Sequence, residues 1–385
     1  MPQRKKTDNT TSQHPITQRE IAIQLGLHQT AVSFALRGDP SISPETRKRV
    51  LDMAEKLGYD PERSHSARMM QQRRFNSSLQ HKVIALLRSS GLNRDPYELD
   101  LFLGIEKIVQ QEGYDLILCN FPAGPWDHSE PSLSLKRGYV DGILFTTHSD
   151  GISEHIRKIK SIPALKNHPI VTYLQNIPGC SSVVADEEDG SYQAMKHLLD
   201  NGHRNILMFQ PLYSEYIWNK RWNGVSRAFN EKGLNSSDFV KILELNYGWL
   251  DVEINPDTLL QLTEYSNNSS TKVLLPDYLK QHTDITAIQA WNDSSAIHAW
   301  NQLEAAGMRV PEDISIIGFD DTHPYPATHD NRLTSVKQPF ELMGAETVKL
   351  MLKHLRDGVY SPEHVVLPCE LVVRSSTAPP TKKYI

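Results

Sequence analysis

ITQREIAIQLGLHQTAVSFALRGDPSISPETRKRVLDMAEKLGYDP, residues 16–61, carries the start and stop signals of three short helices. Thr17 followed by Glu20 is a T-x-x-E capping box, which predicts a helix with Ile21, Ala22 and Leu25 on its inner face, ended by Gly26. A second helix is predicted over 28–36. With Ala31, Val32 and Ala35 inward, the 3.6-residue period turns Gln29, Thr30, Ser33, Phe34 and Arg37 outward. Ser43 as N-cap and Pro44 at the first helical position announce a third helix, with Val50, Ala54 and Leu57 on one stripe and Gly58 at its end. Two helices joined by a short Gly turn have helix-turn-helix spacing, and three apolar stripes suffice for a small core.

The full chain of 385 residues is too long for one core, and 39% hydrophobic with 23% charged residues is ordinary for a globular protein. The net charge of −5 hides an asymmetry: residues 1–80 hold 13 Lys and Arg against 8 Asp and Glu, leaving 28 against 38 for the rest. A basic module on an acidic body fits a small surface that meets phosphate. Arg4, Lys5 and Lys6 are followed by polar residues where a signal peptide needs an apolar run, and no span is apolar enough for a membrane helix. That predicts a cytoplasmic protein. Cys119, Cys180 and Cys369 are odd in number and far apart, so they read as buried free thiols.

Residues 1–15 read as a disordered arm and 62–80 as a polar linker with Arg63, Arg68, Arg73 and Arg74. From His81 the period changes. Short β-rich runs at 83–87, 116–119, 142–145 and 170–173 alternate with helical patterns, and a second series follows at 206–209, 240–245, 287–290 and 314–319. Repeated βαβ units predict parallel sheets covered on both faces, here as two doubly wound lobes broken near Val183. Ligands of such folds sit at the carboxyl ends of the strands, which makes Ser89, Asn120 and Thr147 minor candidates. Residues 340–355 read as an amphipathic helix, with Leu342, Met343, Val348, Leu352 and Leu355 for a core or else for a dimer mate.

The run AVSFALRGDPSISPETRKRVLDMAEKLGYDP with the later GFDD and LTSVKQP segments resembles the lactose-repressor (LacI/GalR) family of bacterial transcription regulators, over 16–375. The resemblance implies an N-terminal all-α helix-turn-helix domain plus an α/β periplasmic-binding-protein-like core. It places the DNA-binding domain at 16–61, the hinge at 62–80 and the effector and dimerisation domain at 81–378, with a tail at 379–385. Three chain crossings divide that domain into lobe 1, about 81–184 and 340–364, and lobe 2, about 185–337 and 365–378. It further implies a homodimer on a near-palindromic DNA operator and a hinge helix that wedges the minor groove. The family's leucine position falls on Arg68, with Met69 beside it, so an arginine in a narrow groove or a methionine wedge replaces leucine.

In the major groove Gln29 can pair bidentately with adenine, Thr30 can hydrogen-bond or touch a thymine methyl, and Phe34 can make only apolar contact or fold over the core. Ser33 and Arg37 suit phosphates. For the effector, Arg221-Trp222-Asn223-Gly224 resembles the family's R-x-x-G, Trp291-Asn292-Asp293 its A-N-D segment, and Asp320 its GFDD acceptor; Tyr173 ends a lobe-1 strand where relatives place an aspartate or an aromatic. Trp222 and Trp291 offer flat faces to a sugar ring. Each has a plainer reading: Asn292 and Asp293 as helix caps, Asp320 as a turn residue, Arg221 as a salt bridge within a lobe, and the tryptophans as core. No phosphate-loop, dinucleotide, nucleophile-elbow or H-E-x-x-H pattern occurs, and the 16 histidines lack ligand spacing, so neither enzyme, metal nor cofactor is indicated. The reading is a repressor whose DNA affinity is set by a small molecule, a sugar in preference to a purine; a solute-binding protein is the rival.

Overall fold

Every capping signal of residues 16–61 finds its partner. The computed structural model describes residues 16–36, 39, 41–59, 81–89, 97–121, 131–146, 152–211, 215–245, 262–266, 269–322, 332–358 and 360–381. The chain divides into two compact units, 1–80 and 81–385. In the first, Thr17 accepts from the Glu20 backbone while the Glu20 carboxylate reaches back to the Thr17 N–H at 2.6 Å, starting α1 (Gln18–Leu25). Gly26, at φ 66°, closes it in the left-handed conformation that only glycine adopts without strain. Next come α2 (Gln29–Leu36) and α3 (Pro44–Leu57), the latter capped by Ser43 and ended by left-handed Gly58. Ile21, Ala22, Val32, Ala35, Val50, Ala54 and Tyr59 form the buried core. Phe34 is half-buried.

The second unit runs β1 (Val83–Ser89), α4 (Tyr97–Gln111), β2 (Asp115–Phe121), α5 (Leu133–Lys136), β3 (Gly142–Thr146), α6 (Ile152–Ser161), β4 (Ile170–Tyr173) and β5 (Ser181–Ala185). It continues with α7 (Glu187–Asp200), β6 (Ile206–Pro211), α8 (Glu215–Glu231), α9 (Ser236–Phe239), β7 (Val240–Leu245), β8 (Leu262–Ser266) and β9 (Ser269–Val273). Then follow α10 (Leu275–Gln281), β10 (Ala287–Gln289), α11 (Asp293–Ala305), β11 (Ser315–Asp320), β12 (Thr334–Lys337), α12 (Phe340–Asp357), β13 (His364–Leu367) and β14 (Glu370–Val372).

Two sheets result. The first has the order β13-β5-β4-β3-β1-β2 and is parallel throughout. The second has the order β14-β12-β11-β10-β6-β7-β8-β9, with a parallel centre and antiparallel pairs at both ends. The chain passes between the sheets after β5, after β12 and after β13. The last passage corrects the lobe boundary expected at 364/365. β13 pairs with β5, His364 against Ser182 through Leu367 against Ala185, so the first lobe keeps the chain up to Leu367. The strands β5, β8, β9, β12, β13 and β14 fall outside the two series of runs given above.

Helix α12 buries Met343, Val348, Met351 and Leu352, which makes it a core helix, while Leu342 stays exposed. It crosses α4 at two glycines: a Cβ on Gly104 would run into the Glu341 carbonyl, and one on Gly344 into the Leu101 carbonyl. Backbone cannot yield there as a flexible side chain can. Gly104→Ala should therefore lower the stability of the 81–385 unit by about 2–4 kcal/mol in urea unfolding followed by tryptophan fluorescence. Gly113→Ala, left-handed at φ 67° but with nothing nearer than Lys82 Nζ at 3.9 Å, should cost only about 1 kcal/mol. Equal losses would show that the helices separate without penalty.

Candidate DNA-reading helix and effector site

The start of α2 is open: His28, Gln29 and Thr30 are exposed, and Ser33 and Phe34 half-buried. The helix is fixed at its far end, where Asp39 N–H donates to the Phe34 carbonyl at 3.0 Å and Arg47 Nη2 donates to the Asp39 carbonyl at 2.6 Å. Asp39 Oδ1 in turn accepts from Ser41 N–H at 2.9 Å and Ser41 Oγ at 2.6 Å. Gln18 Nε2 donates to Tyr59 Oη at 3.0 Å and ties α1 to the residue that follows α3. Four of the residues read from the sequence as DNA contacts, Gln29, Thr30, Ser33 and Phe34, thus share one helix face held by its neighbours. Arg37, Arg68 and Met69 lie outside the described residues.

In the second unit, Arg221, Trp291, Asn292, Asp293 and Asp320 gather at the carboxyl edge of the second sheet, where a parallel sheet opens its binding crevice. Arg221 projects from α8 and is buried. Its Nε donates to Glu187 Oε2 at 2.7 Å and its Nη1 to the Trp291 carbonyl, while its guanidinium lies 4.1 Å from the Trp291 ring centre and 3.5 Å from that of Phe319. One cation therefore ties the first turn of α7, the loop after β10 and the strand β11. Nη2 has no acceptor among the described residues. Trp222 stacks on Trp218 one turn away at 5.8 Å.

Asn292 caps α11, its Oδ1 accepting from Ser295 N–H at 2.9 Å, which leaves its amide nitrogen as the group to offer a ligand. The Asp293 carboxyl is buried, with Oδ1 accepting from Ser335 Oγ at 2.5 Å and Oδ2 from Thr322 N–H at 2.8 Å. It positions the segment after β11 from within. Asp320 ends β11 at φ 103° and Asp321 follows at φ 52°, two non-glycine residues in the left-handed half of the map, a strained arrangement held by its partners. Asp320 Oδ1 accepts from Gln338 Nε2 at 2.8 Å, and Asp321 pairs with Arg374 Nη1 at 2.7 Å. Tyr173 belongs to the other sheet, buried at the end of β4.

Sequence reasoning missed the partners. Glu187 and Phe319 for Arg221, and Gln338 for Asp320, are set by packing at long range. The acidic run 186–189 opening a helix was the one available signal for a counter-ion to a buried arginine. Tyr216, on the first turn of α8, also went unnoticed: its oxygen lies against the Asn176 backbone N–H, in the segment after β4, so it reaches from the second lobe to the first.

Burial, then the nearby Asp320 charge, push the Asp293 carboxyl well above the usual carboxylate range, against the pull of its Ser335 and Thr322 hydrogen bonds. The folded chain thus binds this proton more tightly than the unfolded chain. The group favours folding below its unfolded value, about 4, and that contribution is lost as pH rises through the raised folded value. Asp293→Asn, which keeps an acceptor for Thr322 and offers an amide to Ser335, should gain stability relative to the parent as pH rises from about 4 toward neutrality. Calorimetric melts across that range test it, and parallel curves for the two proteins would contradict it.

Residues 195–377 match the periplasmic binding protein-like domain family. Across 364 residues the chain is 30% identical to the HTH-type transcriptional regulator DegA of Bacillus subtilis (strain 168), covering 94% of this chain and 97% of that protein. A LacI family transcriptional regulator from Enterococcus faecium with bound ribose is 25% identical, with a TM-score of 0.58 over 77% of this chain and 99% of that one. The lac repressor dimer bound to operator and the anti-inducer ONPF shares the fold at 21% identity, with a TM-score of 0.62 over 95% of this chain and 100% of that one. With the capped helix-turn-helix, the two-lobed core and this near full-length relationship together, the chain belongs to the LacI family of transcriptional regulators.

Proposed function

We propose that this regulator is a homodimeric repressor that works in the cytoplasm on a near-palindromic operator and releases or grips it according to a neutral sugar held between its lobes. The observation that carries the ligand class is the composition of the carboxyl-edge patch. It combines the Trp291 ring, buried with one face against the Arg221 guanidinium, the remaining Nη2 of Arg221 and the Asn292 amide as donors, and the Asp320 carboxylate as acceptor of a hydroxyl pair. Flat apolar surface beside paired donors and acceptors is what a sugar ring requires.

The ligand is neutral because Arg221 is already paired with Glu187 and Arg374 with Asp321, while Asp320 adds a negative charge. A phosphate brought there meets an acidic surplus. The relative from Enterococcus faecium, described with ribose, supports a sugar; the relative from Aliivibrio salmonicida, named a transcriptional repressor, supports repression.

Control follows from linkage. An effector that binds one lobe arrangement better shifts the chain toward it, and a coupling of about 1–3 kcal/mol gives roughly 5-fold to 150-fold control of operator affinity. A two-fold protein presents two identical reading helices, hence the near-palindrome.

A thermal-shift panel of neutral sugars, sugar phosphates and purines tests the ligand class. A sugar at 100 times its dissociation constant should add about 2.7 kcal/mol, a rise of a few degrees, and Asp320→Asn and Arg221→Ala should lose that response. Shifts from phosphates alone would overturn the neutral assignment. For DNA, log affinity against log salt should have a slope on the order of −5 or steeper for the dimer, and Gln29→Ala should relax one base position per half-site by about 1–3 kcal/mol. A flat salt response, or a selected motif unchanged by Gln29→Ala, counts against this use of α2.

A further inference from the structure

We infer that His28, which need not touch a base, determines what Thr30 can read. His28 opens α2: its carbonyl accepts from Ala31 N–H at 2.9 Å and Val32 N–H at 3.3 Å, the position of an N-cap residue. Its ring folds back over the first turn. Nδ1 lies 3.4 Å from the Thr30 backbone nitrogen and 3.0 Å from Thr30 Oγ1. The side chain so placed is exposed, as are those of Gln29 and Thr30.

These two contacts fix the protons. A backbone N–H can only donate, so a proton on Nδ1 would point at another proton; Nδ1 carries the lone pair and Nε2 carries the hydrogen. The Thr30 hydroxyl, at the shorter distance, then donates to Nδ1 as well. A hydroxyl has one hydrogen and two lone pairs. With its hydrogen given to His28, Thr30 presents an oxygen that can only accept.

In the major groove this selects the partner. Adenine N6 and cytosine N4 donate, whereas guanine N7 and O6 and thymine O4 accept, and phosphate oxygens accept as well. Thr30 is thereby turned away from phosphate, guanine and thymine O4 and toward a base that carries an amino group. A serine in place of His28 would not do this. Its hydroxyl can donate as well as accept, and Thr30 could turn its own hydrogen to the groove. The neutral imidazole Nδ1 is an acceptor alone.

This inference rests on the reading that α2 enters the major groove, and the experiment separates the two. The full-length protein selects operators from a random library; Thr30→Val, which keeps the shape and loses the oxygen, identifies the base pair that Thr30 contacts. At that pair the parent should prefer adenine or cytosine on the contacted strand by about fivefold to tenfold in affinity. His28→Ser should bring that preference to within about twofold, with the rest of the motif intact. His28→Asn, whose Oδ1 caps as an acceptor, should retain it.

Circular dichroism checks that the helices persist in each variant. An unchanged preference in His28→Ser overturns the inference. So does an equal loss of affinity at every base pair in both His28 variants, which would leave His28 as a cap and nothing more. A parent protein that selects no two-fold motif overturns the DNA-reading assignment itself, and does so before any variant is made.

Discussion

A parallel sheet places the carboxyl ends of all its strands along one edge, and every polar group of the candidate effector site is there for that reason. The loop after β10 delivers Trp291 and Asn292, the end of β11 delivers Asp320, and the crossover from β5 delivers Glu187 on the first turn of α7. Arg221 on α8 then reaches the others because Gly224, one turn further on, lets α8 lie against α7; a Cβ there would meet the Glu188 carbonyl. The site is thus the convergence of loops that the topology would bring together whatever their residues.

Once converged, the residues have to satisfy charge in a place with little water. Arg221 is buried with a single acidic partner and a backbone carbonyl, an arrangement in which removing one member leaves an uncompensated charge. Asp293 takes the other course, since burial and the nearby Asp320 charge favour its protonated form. Between them the wall exposes few unpaired charges, and this makes it hospitable to hydroxyls and aromatic contact.

The two ends of the chain differ in how much of this was legible beforehand. The helix-turn-helix could be read residue by residue because each signal is local: Thr17 with Glu20, Gly26, Ser43 with Pro44, and Gly58 all act within one helical turn. The parallel core strands were legible from their apolar runs. The strands β8 and β9 were not, since their Ser, Thr and Lys content has no apolar alternation, and β5 and β12 are short runs whose burial comes from neighbours distant in sequence. The boundary at Leu367 escaped because pairing of β13 with β5 joins residues about 180 positions apart. For the same reason the resemblance could name Arg221 but not Glu187, 34 residues away, as its counter-ion.

The three passages of the chain between the sheets act as a mechanical constraint. Two bodies joined by one strand of polypeptide can swing, twist and slide; joined by three, they resist sliding and twisting while still allowing a bend about the line through the connections. Tyr216, whose oxygen lies against the Asn176 backbone N–H, is a contact across the two lobes beside those passages. A molecule that enters between the lobes therefore has a single motion to work against, so that its binding is converted into angle and not dissipated among many small displacements.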